Sequence, residues 1–250
     1  MVHSYPSKLK ATQWLLTLMA LSVRCAAAAE FDVGGNLALT SNYIYRGVSE
    51  SNGHPAVQAD LHADLSGGTF LGAWASTRDR ALEPGAGYDL ELYLGHRFDL
   101  TSEWNASVSA RSRYPLGGRN EPSDDYQELG AALTWLDRWS LSLAVLPSAV
   151  RYWRYIRLSR STAWAADTTG QWLIGGGLFV TAGAGYYRAA GTGPGIRAAN
   201  GYAYGNAGLA LERRRWRADV GYFRAQDRAQ LLFPYPVANR EVAGTVTWRF

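Results

Sequence analysis

The sequence predicts an all-β fold: one antiparallel transmembrane β-barrel of about twelve strands, with short periplasmic turns and longer extracellular loops. Three observations predict it. The amino-terminal segment has the order of an export signal, polar and apolar residues alternate over most of the remaining chain, and the connections between alternating segments are short and long in turn. Such a chain is expected to enter a membrane as a barrel, because only helices and closed barrels satisfy their backbone hydrogen bonds in lipid.

The export signal occupies residues 1–29. Two lysines precede an apolar stretch at 11–23, and a run of alanines follows it, which is the order of a secretory signal peptide. The apolar stretch is shorter than the roughly 20 residues that a transmembrane helix needs. We therefore expect cleavage after Ala29, which leaves residues 30–250 as a single barrel domain.

Removal of the signal changes the charge balance. The full chain has 25 lysines and arginines against 21 acidic residues, and Lys8, Lys10 and Arg24 lie in the segment to be removed. The mature chain is then nearly neutral, so a nucleic-acid partner is not expected. The single cysteine, Cys25, is removed as well, which excludes thiol catalysis, disulfides and cysteine-based metal sites.

The alternation is clearest at residues 56–65, where one face is apolar and the other carries Gln58, Asp60, His62 and Asp64. Successive side chains of a strand point to opposite faces, so this pattern predicts a wall between lipid and a polar interior. The candidate strands found in this way are 31–47, 56–65, 69–79, 88–98, 103–114, 125–136, 139–146, 157–172, 178–188, 201–211, 216–225 and 239–250.

The connections alternate in length, and the proline positions agree with them. Apart from the proline in the signal, every proline falls in a long connection, as expected because proline cannot donate to a strand ladder. Within 147–177, a turn at 167–170 is an alternative to one at 175–177. With short turns on the periplasmic side, both termini are expected to be periplasmic. The long connections are 48–55, 80–87, 115–124, 147–156, 189–200 and 226–238.

Aromatic residues gather near both ends of the predicted strands. Tryptophans such as Trp104 lie near short turns and tyrosines such as Tyr186 near long loops, which is typical of the two membrane interfaces; a soluble β-sandwich, the alternative fold, predicts no such sorting. The last strand carries Val246, Trp248 and Phe250 on one face and ends at an aromatic residue. This ending resembles the signal read by the outer-membrane barrel assembly machinery, so that machinery and outer-membrane lipid are the expected partners.

The predicted inner faces carry charges of both signs. Mixed charge suits a hydrated lumen for small polar solutes and argues against strong ion selectivity, although the same charges could instead form ion pairs that close the barrel. The predicted pore-lining residues are Arg46, Gln58, Asp60, His62, Asp64, Asp89, Glu91, Arg111, Arg113, Glu128, Arg217, Asp219 and Glu241.

One inner face offers a candidate for catalysis. Asp60, His62 and Asp64 could activate a water as a general base, but same-face neighbours in a strand are roughly 6.5–7 Å apart, too far for a direct histidine–carboxylate hydrogen bond. The glycine-rich segment at 191–195 lacks the lysine and hydroxyl residue of a phosphate-binding loop, and the histidines lack metal-ligand spacing. We expect no catalytic residue, no metal and no cofactor.

Residues 35–51 contain a Tyr-x-x-Arg-Gly-x-Ser motif and resemble the first strand of the TorF family of porins. The similarity continues at 55–58, 72–76, 91–95, 113–115 and 126–128, so it covers the first half of the chain. The resemblance implies an outer-membrane barrel and matches Arg46, Gln58, Glu91 and Glu128 to the polar positions of the family motifs.

The predicted function is passive diffusion of small polar solutes across the bacterial outer membrane. Two alternatives belong to other classes. One is an outer-membrane barrel enzyme that hydrolyses lipid or peptide with Asp60, His62 and Asp64. The other is a non-conducting structural or adhesion barrel that works through its long loops.

Overall fold

The computed structural model describes residues 31–79, 87–117, 125–150, 152–153, 156–157, 160–190, 200–233 and 236–250. The predicted signal peptide at 1–29 and the glycine-rich segment at 191–195 lie outside the described residues. In the described ranges, no helix has the length and apolar character needed to cross a bilayer.

Twelve antiparallel strands of the described chain close into one barrel, which confirms the predicted fold class. Each strand pairs with the next in sequence and the first pairs with the last, so the sheet has no free edge. The barrel strands are β1 (Phe31–Thr40), β4 (Ala56–Leu65), β5 (Thr69–Thr77), β6 (Tyr88–Asp99), β7 (Trp104–Leu116), β8 (Tyr126–Trp135), β9 (Trp139–Ala149), β12 (Ser161–Gly175), β13 (Leu178–Ala189), β14 (Gly201–Arg213), β15 (Trp216–Ala225) and β16 (Asn239–Arg249). The connections contain β2 (Ile44–Tyr45), β3 (Val48–Ser49), β10 (Tyr152–Trp153), β11 (Ile156–Arg157) and the short helix α1 (Ala229–Leu232).

The first strand is shorter than predicted. The sequence places residues 41–47 in it, but β1 ends at Thr40 and the chain then turns into the barrel. The hairpin formed by β2 and β3 turns at Arg46 and Gly47, whose φ angles of 48° and 75° are left-handed values that a strand does not adopt. The prediction that Arg46 continues the wall is therefore wrong, because this residue lies in a loop.

The turn after β12 lies at the glycines. Gly175, Gly176 and Gly177 have φ angles of 151°, 57° and 79°, a run of positive values that suits glycine best. The alternative turn at 167–170 is wrong, because these residues lie inside β12 and pair with β13.

Two prolines lie in strands, which corrects the expectation that all of them fall in connections. Pro115 belongs to β7 and Pro147 to β9. On the β8 side, pairing of β7 already ends at Arg113, and a register shift interrupts the pairing of β9 with β12 beside Leu146. Proline is tolerated at these ends because the neighbouring ladder has stopped or lost its register.

The two faces of the wall differ in polarity. On β4, Val57 and Leu61 are 56% and 55% exposed on the outer face, whereas Asp60 accepts a hydrogen bond inside the barrel from Tyr93 of β6. An apolar outer face is what lipid requires. Further exposed apolar side chains on the outer face are Phe31, Val33, Leu37, Leu39, Val108, Leu129, Leu141, Leu143, Val220, Val242 and Val246.

The carboxy terminus closes the barrel against β1. The backbone N–H of Phe250 donates to the carbonyl oxygen of Gly35 at 3.0 Å, and the N–H of Gly35 donates back at 3.2 Å. The ring of Phe250 lies over Gly35, and its centroid is 5.1 Å from that of Trp248. Together with Val246, these rings form a partly exposed apolar strip beside the seam between β1 and β16.

Substituting Gly35 with alanine is expected to weaken this seam. A Cβ at this position would lie 2.6 Å from the carbonyl oxygen of Asp60 and 2.7 Å from Cζ of Phe250, so the backbone or the terminal ring must move. Such overpacking costs about 1–3 kcal/mol of unfolding free energy. Gly244→Ala is the matched control, because its nearest contact would be at 3.7 Å. The stability of each variant is measured by the temperature at which the band of folded protein disappears in gel electrophoresis. Equal effects of the two substitutions would contradict the prediction.

Candidate functional site

Residues 41–55, called the inward loop below, fold into the barrel instead of extending its wall. Their own polar groups hold them together. Ser49 donates to Oδ1 of Asn42 at 2.6 Å, and Oγ of Ser51 accepts from the backbone N–H of Tyr43 at 2.9 Å. Seven of its fifteen residues are buried and four more are half-buried, and these internal hydrogen bonds satisfy several of the buried polar groups.

The tip of the inward loop reaches across the lumen. The Tyr202 hydroxyl of β14 donates to the carbonyl oxygen of Arg46 at 2.9 Å, and the N–H of Ala238 donates to that of Gly47 at 2.9 Å. From there, Nη1 of Arg46 donates to Oε2 of Glu128 on β8 at 2.8 Å. Because β8 is five strands away from β1 in the closed order, a loop that leaves β1 must span the lumen to make this bond.

Substituting Gly47 with alanine is expected to undock the tip. A Cβ at Gly47 would lie 2.7 Å from Cβ of Ala225 and 2.8 Å from Cβ of Tyr204, in addition to the strain of a positive φ. Gly53→Ala is the control, because Gly53 has nearly the same φ of 74° and no atom within 4 Å. Conductance in planar bilayers should rise for Gly47→Ala and stay unchanged for Gly53→Ala. Equal conductance of the two variants would show that the tip does not obstruct the lumen.

A buried ion cluster fixes the base of the inward loop. Asp89, whose side chain is 0% exposed, lies 3.2 Å from Nη1 of Arg78 and accepts a hydrogen bond from Arg113. Glu50 of the loop lies 2.7 Å from Arg78 and 3.4 Å from Arg113. Burial raises the pKa of the Tyr43 phenol well above its usual range, so this ring stands beside Arg113 as a neutral group. We call these two arginines and two carboxylates the Asp89 cluster.

A second ion cluster lies at the tip of the loop. Arg111 is 3.3 Å from Glu91 and 3.5 Å from Glu128, and Glu128 also accepts the hydrogen bond from Arg46. We call these four residues the Glu128 cluster. Each cluster contains two arginines and two carboxylates, so their charges cancel where the loop narrows the lumen.

The inward loop lies between two cavities. The mid-lumen cavity has a volume of about 460 Å³, the outer cavity on the long-connection side has about 80 Å³, and Tyr45 and Arg46 border both. A turn-side cavity of about 490 Å³, near the short turns, shares Thr169 and Asn206 with the mid-lumen cavity. The barrel is therefore hollow from its short-turn end up to the inward loop, where Tyr45 and Arg46 obstruct it.

The predicted pore-lining residues fall into several groups. Arg217 and Asp219 bond to each other at the turn-side cavity, at distances down to 2.8 Å. Gln58 lies 3.4 Å from a serine hydroxyl of β5. Within the described ranges, Asp64 and Glu241 make no side-chain hydrogen bond or ion pair. The predicted residues that meet in the two ion clusters are Arg46, Asp89, Glu91, Arg111, Arg113 and Glu128.

Sequence reasoning missed two members of the Asp89 cluster. Arg78 follows Trp74 and Ser76 at inward-facing positions of β5, so continuing the alternation by one step would have found it. Glu50 lies in the inward loop, where no period-two pattern indicates a direction. Its partners depend on how the loop folds and leave no local signal in the sequence.

The structure corrects the expected separation of Asp60 and His62. Nδ1 of His62 lies 2.7 Å from Oδ1 of Asp60, because the two side chains lean towards each other along β4 and span the backbone spacing. Tyr93 donates to the other oxygen of Asp60 at 2.8 Å, and Asp64 does not join the pair. In the part of the chain that is described, His62 has no hydrogen bond to a serine or threonine, and no group of three or more potential ligands could hold a metal ion.

A closed antiparallel barrel with an apolar outside and a charged, hollow inside defines the class: a β-barrel of the outer-membrane type. A protein-family model described as a bacterial protein of unknown function, Gcw_chp, matches residues 24–145, slightly less than half of the chain. No curated protein matches the sequence.

Two solved structures share the fold. A NanC porin is similar with a TM-score of 0.55 and 10% identity, over 86% of this chain and 98% of that chain. An outer-membrane channel from Pseudomonas putida F1 is similar with a TM-score of 0.52 and 13% identity, over 89% of this chain and 95% of that chain. At these identities the likeness shows the barrel fold alone.

Proposed function

We propose that the protein is an outer-membrane channel for the passive diffusion of small polar solutes, without catalytic residues or a cofactor. The observation that carries the proposal is a hollow polar interior, with cavities of about 460 and 490 Å³, inside an apolar wall. Barrels of about eight strands are filled by side chains, whereas those of 16–18 leave an aqueous channel. This twelve-stranded barrel is intermediate: it is hollow but narrowed by the inward loop.

The proposal includes a location and partners. The fold shared with a porin and with an outer-membrane channel supports the outer membrane, reached through export by residues 1–29. Outer-membrane lipid would surround the apolar wall, and the barrel assembly machinery would read the strip of Val246, Trp248 and Phe250. The motif within residues 35–51 supports the finer assignment to the TorF family.

Reconstitution tests the proposal. Purified protein in planar bilayers should give discrete conductance steps, and liposomes that contain it should swell in isotonic solutions of small polar solutes. Heat-dependent gel mobility establishes that the sample is a folded barrel, and heat-denatured protein is the control. A folded sample that gives neither conductance nor solute flux refutes the channel.

A further inference from the structure

One part of the lining of the mid-lumen cavity is aromatic. Phe70 of β5 and Tyr93 of β6 lie with their ring centroids 6.4 Å apart, and Tyr204 of β14 and Phe223 of β15 line the cavity from other strands. The volume of about 460 Å³ falls within the range of roughly 300–1,000 Å³ that small-molecule sites occupy.

Three of these rings pack closely against glycines of the wall. Phe70 lies across Gly95 and Tyr93 across Gly72, so a Cβ on either glycine would collide with the ring. Tyr204 covers Gly185 in the same way. Each of these rings packs against a glycine and also borders the mid-lumen cavity, where it can contact a solute.

A second part of the lining consists of small polar side chains. Ser107 and Ser109 of β7, Ser142 of β9 and Asn206 of β14 border the cavity. Within the described residues, none of these four side chains makes a hydrogen bond to the protein. Their hydroxyl and amide groups are therefore available to water or to a solute that replaces it.

The charged groups of this cavity are occupied by one another. Arg46 and Arg111 pair with Glu128, and Asp167 accepts a hydrogen bond from the Tyr204 hydroxyl and lies 3.8 Å from Nε of Arg46. An ionic solute would therefore have to compete with existing ion pairs and would lose hydration without gaining an unpaired counter-charge.

We infer that the mid-lumen cavity is a binding site for an uncharged polyhydroxylated solute of sugar type, an inference that rests on the proposed channel function. The C–H faces of such a solute pack on the flat aromatic rings, and its hydroxyl groups bond to the free serine and asparagine side chains. The rings lie on β5 and β6 and on β14 and β15, and the free serines lie on β7 and β9 between them. This arrangement suits a ligand that is apolar on its faces and polar at its edge.

Liposome swelling with glucose, gluconate and glucosamine tests the inference, because the three solutes have similar size and differ in charge. Glucose should enter roughly fivefold faster than either charged analogue, since only the charged solutes lose ionic hydration. In planar bilayers, sucrose should interrupt the current in a concentration-dependent way. Phe223→Ala should weaken that block about fivefold, because one stacking face is lost.

Tyr222→Ala is the matched control, since Tyr222 is the neighbour of Phe223 on β15 and is 44% exposed on the outer face. Asn206→Ala provides a second variant inside the cavity, and gel mobility verifies that each variant is folded. A channel that conducts but shows no preference for glucose and no block by sucrose overturns the inference and leaves the channel function standing. A block equally weakened by Phe223→Ala and Tyr222→Ala overturns it too, and the absence of any flux overturns both proposals.

Discussion

Asp89→Asn is expected to destabilise the folded barrel by about 3–5 kcal/mol. This is the cost of removing the charge of one partner of a buried ion pair while the other partner stays buried. Asp89 is fully buried and bonds to both Arg78 and Arg113. Without its charge, Glu50 is the carboxylate of the Asp89 cluster that remains beside the two buried arginines. The free energy of unfolding, from urea titration in lipid or detergent, measures the effect, and a lower temperature for loss of the folded gel band should accompany it.

Asp99→Asn is the control for this prediction. Asp99 lies on the same strand, β6, but is exposed at its short-turn end. A surface substitution of this kind changes stability by about 0.5 kcal/mol or less. If Asp89→Asn were as mild as Asp99→Asn, the Asp89 cluster would not contribute to the stability of the barrel.

Arg46→Ala is expected to raise single-channel conductance at least about twofold, because it removes a side chain that crosses the lumen between two cavities. Arg46 borders both the mid-lumen and the outer cavity, and its guanidinium bonds to Glu128 on the far wall. Removing it takes away one of the two side chains, with that of Tyr45, that lie between the cavities. Glu128 keeps Arg111 at 3.5 Å as a counter-charge, so the barrel should still fold.

Two further variants make this test specific. Arg224→Ala removes an exposed arginine on the outer face of β15 and should leave conductance unchanged. Glu128→Gln should raise conductance as well, and the double variant should show less than the sum of the two single effects, because both act on one ion pair. Unchanged conductance in Arg46→Ala would mean that solutes bypass the tip of the inward loop or that the loop does not obstruct the lumen.

The position of the wall follows from local sequence pattern. In β4, β15 and most other strands, the period-two alternation marks both the limits of the strand and the side that each residue faces. The local rules were wrong at residues 41–47, which leave β1 for the inward loop, and at two prolines. Pro115 and Pro147 lie in strands because their neighbours have ended or lost register, and this depends on which strands pair.

The sequence by itself determined the number and order of strands, their inner and outer faces and the location of most of the short turns, because each of these depends on residues close together in the chain. Only the tertiary structure decided what occupies the lumen. The bond between Arg46 and Glu128 joins residues 82 positions apart, and Asp89 meets Glu50 and Arg78 only after the barrel has closed around the inward loop. Such pairings depend on distances across the lumen, which no periodicity along one strand encodes.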